Sequence, residues 1–297
     1  EWYSISPEMK PEKIPPDWNR ITQIQKTLGE EVKKRWNTSV LLGLNSQELT
    51  PSGTKRYNSA LLVSNDENKT SRYDKIHRVP FGEFIPFKEV FPWLKNFAPY
   101  DFEYSIVSGA GYPILEFPIG PDKQKFAKFG TLICYEDTDP SIPLGFFNSG
   151  NSPNFFINTS NDGWFKGSEE HEQHLAISRF RAIETRRAII RSVNMGISAL
   201  IDSNGKVLKP ESTESTNQAN TFTWKINYPG PKSKALAVSD WHKFKANQGM
   251  LIAAIPIDSR FSLYTKTGDL LPYACWLLLL SIAILPAKKT PVPAPDN

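Results

Sequence analysis

Residues 129–140 read FGTLICYEDTDP. The apolar run through Leu132 and Ile133 has the length and character of a buried strand, and it stops at Cys134. Tyr135, Glu136, Asp137 and Asp139 follow at once. A strand that turns from apolar to charged in one step ends where α/β folds gather their sites. Neighbouring carboxylates raise a thiol's pKa and weaken it as a nucleophile. Cys134 is therefore either inert packing or is met by a cation from elsewhere in the chain.

Outward from this strand the pattern repeats. SVLLGL (39–44), SALLVS (59–64), YPILEFPI (112–119), NFFINTS (154–160) and GMLIAAIPI (249–257) read as further strands. Trp18, Ile21, Ile24, Leu28, Val32 and Trp36 recur at helical spacing, and a helical pattern runs from Ser168 to Ser192. ISALIDSNGKVL (197–208) reads as a hairpin around Ser-Asn-Gly, and NDENKT (65–70) as a turn. Residues 1–17 are Pro-rich and loop-like, and 209–247 read as a polar surface excursion. Apolar strands interleaved with amphipathic helices predict a layered α/β or α+β domain.

The 297 residues, 39% of them hydrophobic and with eight Trp, suffice for a sizeable core. The net charge of +4 is dispersed, which argues against nucleic-acid binding. Two cysteines, Cys134 and Cys275, exclude a disulfide framework. His171 and His174 lack a third partner in the sequence and read as structural rather than as metal ligands. The start at Glu1, without Met, reads as a piece of a longer protein. LLPYACWLLLLSIAILPA (270–287) is uncharged and is followed by Lys288 and Lys289, the pattern of a membrane span with a cytoplasmic C-terminus.

Two further stretches carry chemistry. In RYDKIHRVPFGEFIPF (72–87), Lys75 and Glu83 flank a Pro-Phe-Gly turn. The plain reading is a solvated basic patch. Lys75 beside Cys134 would instead supply the missing cation or hold an oxyanion, and a carboxylate beside both would take a proton. Gly82 would let the backbone come close. In INTSNDGWF (157–165), Asn158, Ser160, Asn161 and Asp162 follow a strand end, suited to a cap cluster or to a pocket wall.

KIHRVPFGEFIPF, LICYED and NTSNDGWF, followed by HLAISRFRAIETRRAIIRSVNMGISALIDSNGKVL and then SLYTKTGD before an apolar run, together resemble the nitrilase-superfamily (carbon–nitrogen hydrolase) domain of apolipoprotein N-acyltransferases. The resemblance extends from about Arg56 to Lys289. It implies a nitrilase-like α-β-β-α sandwich followed by one C-terminal transmembrane helix. Residues 1–265 would form the catalytic domain, lacking its N-terminal strand, 268–288 the span and 289–297 a cytoplasmic tail.

The resemblance also implies roles. Cys134 is the acyl-accepting nucleophile, Lys75 stabilises the oxyanion, and Glu83 is a second glutamate of the site. Glu136 and Tyr135 orient the thiol's surroundings, and Trp164 packs on an acyl chain. The family's general-base Glu, in a Trp-Pro-Glu motif, has no clean counterpart. Glu8, in SPEM, is the expectation within the chain, with Glu1 or a residue upstream as the alternatives. The implied reaction moves an acyl group from a phospholipid donor, through a Cys thioester, to the α-amine of a diacylglyceryl-lipoprotein. It needs no cofactor and no metal. It would be carried out by a monomer in the bacterial inner membrane with its catalytic domain on the periplasmic side. The alternative is a carbon–nitrogen hydrolase, an amidase or nitrilase, using the same Glu-Lys-Cys site.

Overall fold

The computed structural model describes residues 1–64, 70–98, 104–120, 124–148, 150, 152–216, 221–226, 233–245 and 247–284. One sheet has the order β1 (Trp2–Ile5), β2 (Val40–Thr50), β3 (Gly53–Val63), β4 (Thr70–Asp74). A second has the order β5 (Leu115–Ile119), β6 (Lys125–Ile133), β7 (Phe155–Asn161), β8 (Ala188–Asn194), β9 (Ala199–Ile201). A third joins β10 (Ser212–Thr216), β11 (Thr221–Ile226) and β12 (Gly249–Ala253).

Alternation along β3 sets the layers. Leu61 and Val63 pack outward on Val32, where helix α1 (Pro16–Glu31) runs into a wide turn, Val32–Trp36. Ala60 and Leu62 point the other way, into the main core with Phe129, Leu132 and Phe155 of the second sheet. Phe129 and Phe155 stack with their centroids 5.7 Å apart. Ile142 and Phe146 of α2 (Ser141–Asn148), with Leu175 and Ala182 of α3 (Glu170–Thr185), join that core from their own helices. The order is helix, sheet, sheet, helix. In the second sheet β6, β7 and β8 are parallel, so their C-terminal ends share one edge. The antiparallel β5 and β9 flank them.

Three expectations need correction. Trp2–Ile5 is not loop but a short strand, parallel to β2 with Trp2 opposite Ser46, so the first sheet does begin with a strand within this chain. The helix expected over 168–192 stops at Thr185, because Arg186 takes the left-handed conformation (φ 54°) and the β-branched run after it enters the sheet as β8. The segment 209–247 carries β10, β11 and a buried Trp241, so it is part of the fold rather than an excursion. The apolar C-terminal run forms α5 (Leu270–Ile284), fifteen residues exposed along their whole length. Its fifteen described residues cover about 22 Å at 1.5 Å per residue. Among the described residues no helix is long and apolar enough to cross a membrane. Residues 285–288 of the expected span, the tail 289–297 and most of the expected turn (65–69) lie outside the described residues.

Candidate active site

Cys134 follows β6 directly and sits at φ 51°, a left-handed conformation costing a non-glycine residue about 1–2 kcal/mol. It opens a tight turn, Cys134–Thr138. Glu136 fixes that turn. Its carboxylate is fully buried and accepts from the Ile133 N–H at 2.8 Å. It also accepts from the Tyr73 hydroxyl (2.8 and 2.9 Å) and from the N–H groups of Ile76 (2.7 Å) and His77 (3.1 Å). One side chain thus ties the residue before the thiol to the residue after Lys75. Burial pushes Glu136 up to about 7, against these donors, which favour the charged form.

Lys75 lies one residue beyond β4 and is buried. Its backbone is pinned on both sides: the N–H donates to Asn58 O at 2.8 Å, and its carbonyl accepts from Gly109 N at 2.8 Å. Gly109 leaves no room for a side chain there, since a Cβ would fall 2.1 Å from Asp74 O. Lys75 Nζ donates to both oxygens of Glu83, at 2.9 and 2.8 Å. Glu83 accepts as well from Val79 N (2.8 Å) and Asn58 Nδ2 (3.3 Å). In the Pro-Phe-Gly turn the left-handed residue is Phe81 (φ 60°), not Gly82.

Cys134 and Glu83 line one cavity of about 670 Å³. Asn58, Tyr104, Ser160, Trp164 and Asn194 share its wall. Burial raises the Cys134 thiol, while the Lys75 charge and a Ser160 hydrogen bond pull it down and Asp162 pushes it up; the net direction is upward. The cation asked for by the sequence therefore arrives, but it does not leave a free thiolate at rest. A proton acceptor is still needed.

The remaining expected residues fall in different places. Trp164 is 69% exposed at the cavity wall, suited to meet a long apolar substrate. Tyr135 is exposed and packs edge-on against His77, 5.4 Å between centroids, rather than lining the cavity. Glu136 also stays off the cavity wall, so it positions the site without touching the thiol or the ammonium. Glu8 is exposed in the turn after β1, where its N–H is bonded to Ser6 Oγ at 3.3 Å. It makes no bond to Lys75, whose ammonium is taken by Glu83. Glu1 is likewise exposed and accepts from Tyr3 and Gln47. Neither contact supports the expectation of a base at Glu8 or Glu1. Both cysteines are free, as expected.

Behind the thiol lies a charge cluster that sequence reading missed. His174 is hydrogen-bonded through Nε2 to Asp137 (2.8 Å) and through Nδ1 to Asp162 (3.1 Å). Arg191 pairs with Asp137 at 2.7 Å and approaches Asp162 at 3.6 Å. Burial and Arg191 oppose the imidazolium, yet the two aspartates win and raise His174 to about 9. Asp162, Glu170 and His174 stand close enough to hold a cation. Both ring nitrogens of His174 already face Asp137 and Asp162, and Arg191 stands alongside.

An α/β sandwich with a cysteine after β6 of one sheet, and a lysine after β4 of the other paired to a glutamate, defines the class of domain. The chain belongs to the carbon-nitrogen hydrolase family, which residues 28–225 match. It is 28% identical over 272 residues to an apolipoprotein N-acyltransferase of Chlorobaculum tepidum, covering 86% of this chain and 44% of that protein. To the Rhodopseudomonas palustris apolipoprotein N-acyltransferase it is 36% identical over 239 residues, covering 80% of this chain and 37% of the relative. The chain thus spans less than half the length of these curated relatives. A carbon-nitrogen hydrolase structure from Helicobacter pylori G27 aligns with TM-score 0.43 and 14% identity, over 70% of this chain and 72% of that one.

Proposed function

We propose that the chain is the catalytic domain of an apolipoprotein N-acyltransferase. The observation that carries this reading is the cavity shared by Cys134 and Glu83, with Lys75 bonded to Glu83 and its charge acting on the thiol. The similarity to named acyltransferases over most of the chain points to the substrates.

A carboxylate takes the Cys134 proton; among the described residues Glu83 is the carboxylate on the cavity wall. The thiolate attacks a phospholipid acyl ester, with phosphatidylethanolamine as donor and its sn-1 ester as the bond attacked. Lys75 stabilises the oxyanion. The C–O bond breaks, a C–S bond forms, and the lysophospholipid leaves with the proton. The α-amine of a diacylglyceryl-cysteine then attacks the thioester, forming C–N, breaking C–S and returning the thiol. A thioester suits the second step because an amine displaces it readily. Trp164, exposed at the wall, meets the acyl chain. The apolar helix α5 leads the chain toward the bilayer holding both substrates, with the domain on the periplasmic side and the molecule working as a monomer.

The test presents the chain with phosphatidylethanolamine vesicles and a diacylglyceryl lipopeptide. The lipopeptide gains one acyl mass, and Cys134→Ala removes that gain by at least about 10³-fold. Triacylated product at the native rate from Cys134→Ala contradicts the reading. A second reading, favoured by the family match, gives the acyl group to water. Turnover of small amides without lipid, and no lipopeptide product, selects it.

A further inference from the structure

The reaction leaves one buried group unused. Asp137, Asp162, His174, Ser178 and Arg191 lie in the interior behind the ends of β6, β7 and β8. Charges so placed are costly unless each is paired. The pairing is extensive: Asp137 holds His174, Arg191 and Ser178, and Asp162 holds His174 and faces Arg191. One thread leaves this cluster for the cavity. Ser160, at the end of β7, donates its hydroxyl to Asp162 Oδ1 at 2.5 Å. Ser160 also shares the cavity wall with Cys134, and its hydroxyl favours the thiolate there.

A serine hydroxyl has one proton and two lone pairs. While that proton goes to Asp162, the oxygen can only accept, and the thiol on the same cavity wall is a donor it could accept from. Once the thiol proton has left, the sulfur is an anion with a strong claim on the hydroxyl proton. Asp162 can release it, because His174 Nδ1 and Arg191 still face its carboxylate. We propose that Ser160 is a positioning residue for Cys134, its hydroxyl turning between Asp162 and the sulfur as the thiol proton leaves and returns. The inference rests on Cys134 as the nucleophile but not on which acyl acceptor follows.

The charges around this thread are these. Lys75 and Glu83 face the thiol from the β4 side, and Asp162 from the end of β7. Around Asp162 stand Glu170, His171 and His174 from α3 and Arg191 from β8, with Asp137 of the turn after Cys134 behind them. Lys75 and Ser160 both favour the thiolate, whereas burial and Asp162 oppose it.

The experiment measures iodoacetamide alkylation of Cys134 against pH in the full chain, in a Cys275→Ser background because Cys275 is exposed and would also react. Alkylation reads the thiol whatever the enzyme's substrate, so it stands apart from the transfer assay. Ser160→Ala should move the midpoint up by about one pH unit, making alkylation about tenfold slower at a fixed pH below it. Ser160→Thr, which keeps the hydroxyl, should restore the native midpoint. An unchanged midpoint in folded Ser160→Ala overturns the proposal. Should that variant not fold, Ser160→Val is compared with the isosteric Ser160→Thr: a midpoint about one pH unit higher in Ser160→Val supports the proposal, and equal midpoints overturn it.

Discussion

Glu136 shows how a single side chain can serve a reaction without touching the reactants. Its two oxygens receive N–H groups from Ile76 and His77, beside Lys75, and from Ile133, beside Cys134. They hold Cys134 in its left-handed conformation (φ 51°) and set the spacing of ammonium and sulfur. Glu136→Gln points an amide donor at one of these donors. Above pH 7, where the carboxylate form prevails, it should cost about 1–3 kcal/mol of stability in urea unfolding. It should also lower kcat more than it raises KM. A variant of native kcat would show that this bracing is dispensable. The sequence singles out Cys134 at the end of an apolar strand, and Lys75 and Glu83 on either side of a marked turn. The Asp137–His174–Arg191 cluster was not legible, because its members come from a turn, a helix and a strand and meet only in the folded chain. The proline before Glu8 is a local signal that says nothing of where the turn after β1 carries the side chain.

The elements matter through where they stop. β6, β7 and β8 run parallel, and their C-terminal ends deliver Cys134, Ser160 and Asn194 to one cavity. β4 delivers Lys75 from the other sheet, held by Asn58 and by the close approach of Gly109. Gly109→Ala places a methyl on the Asp74 carbonyl. The strand end must shift, so this change should cut acyl transfer by tenfold or more while Gly111→Ala, where an added Cβ meets nothing within 4 Å, leaves the backbone approach intact. Equal activity in Gly109→Ala and the native chain would remove the argument. Most strands were legible from short apolar runs bounded by polar residues. β1 was hidden because Trp2–Ile5 is short and has no apolar alternation, and it is held by pairing to β2. The end of α3 was hidden because helical and extended periods both fit Arg186–Ser192. Only the left-handed Arg186 decides between them.

At the scale of the whole molecule, buried titrating groups give stability a definite slope with pH. Glu136 rises from about 4.5 unfolded to about 7 folded, so its contribution is full below 4.5 and is lost as pH rises through 7. His174 rises from 6.5 to about 9, so its contribution is full below 6.5 and is lost as pH rises through 9. Both signs agree, and each shift corresponds to about 3 kcal/mol. Thermal or urea unfolding should therefore show stability falling from pH 6 to pH 9.5, with His174→Gln flattening the upper part; a rise over that range contradicts the assignment of these two groups. A layered α/β domain and the apolar C-terminal run were legible from pattern, and the sandwich was implied by the family resemblance. The central claim is that Cys134 carries the acyl group. Incubated with phosphatidylethanolamine vesicles and no acceptor, the chain should gain one acyl mass on the peptide containing Cys134, and neutral hydroxylamine should remove it. An acyl mass on another residue, or none on Cys134 in a chain that still transfers, would contradict the account.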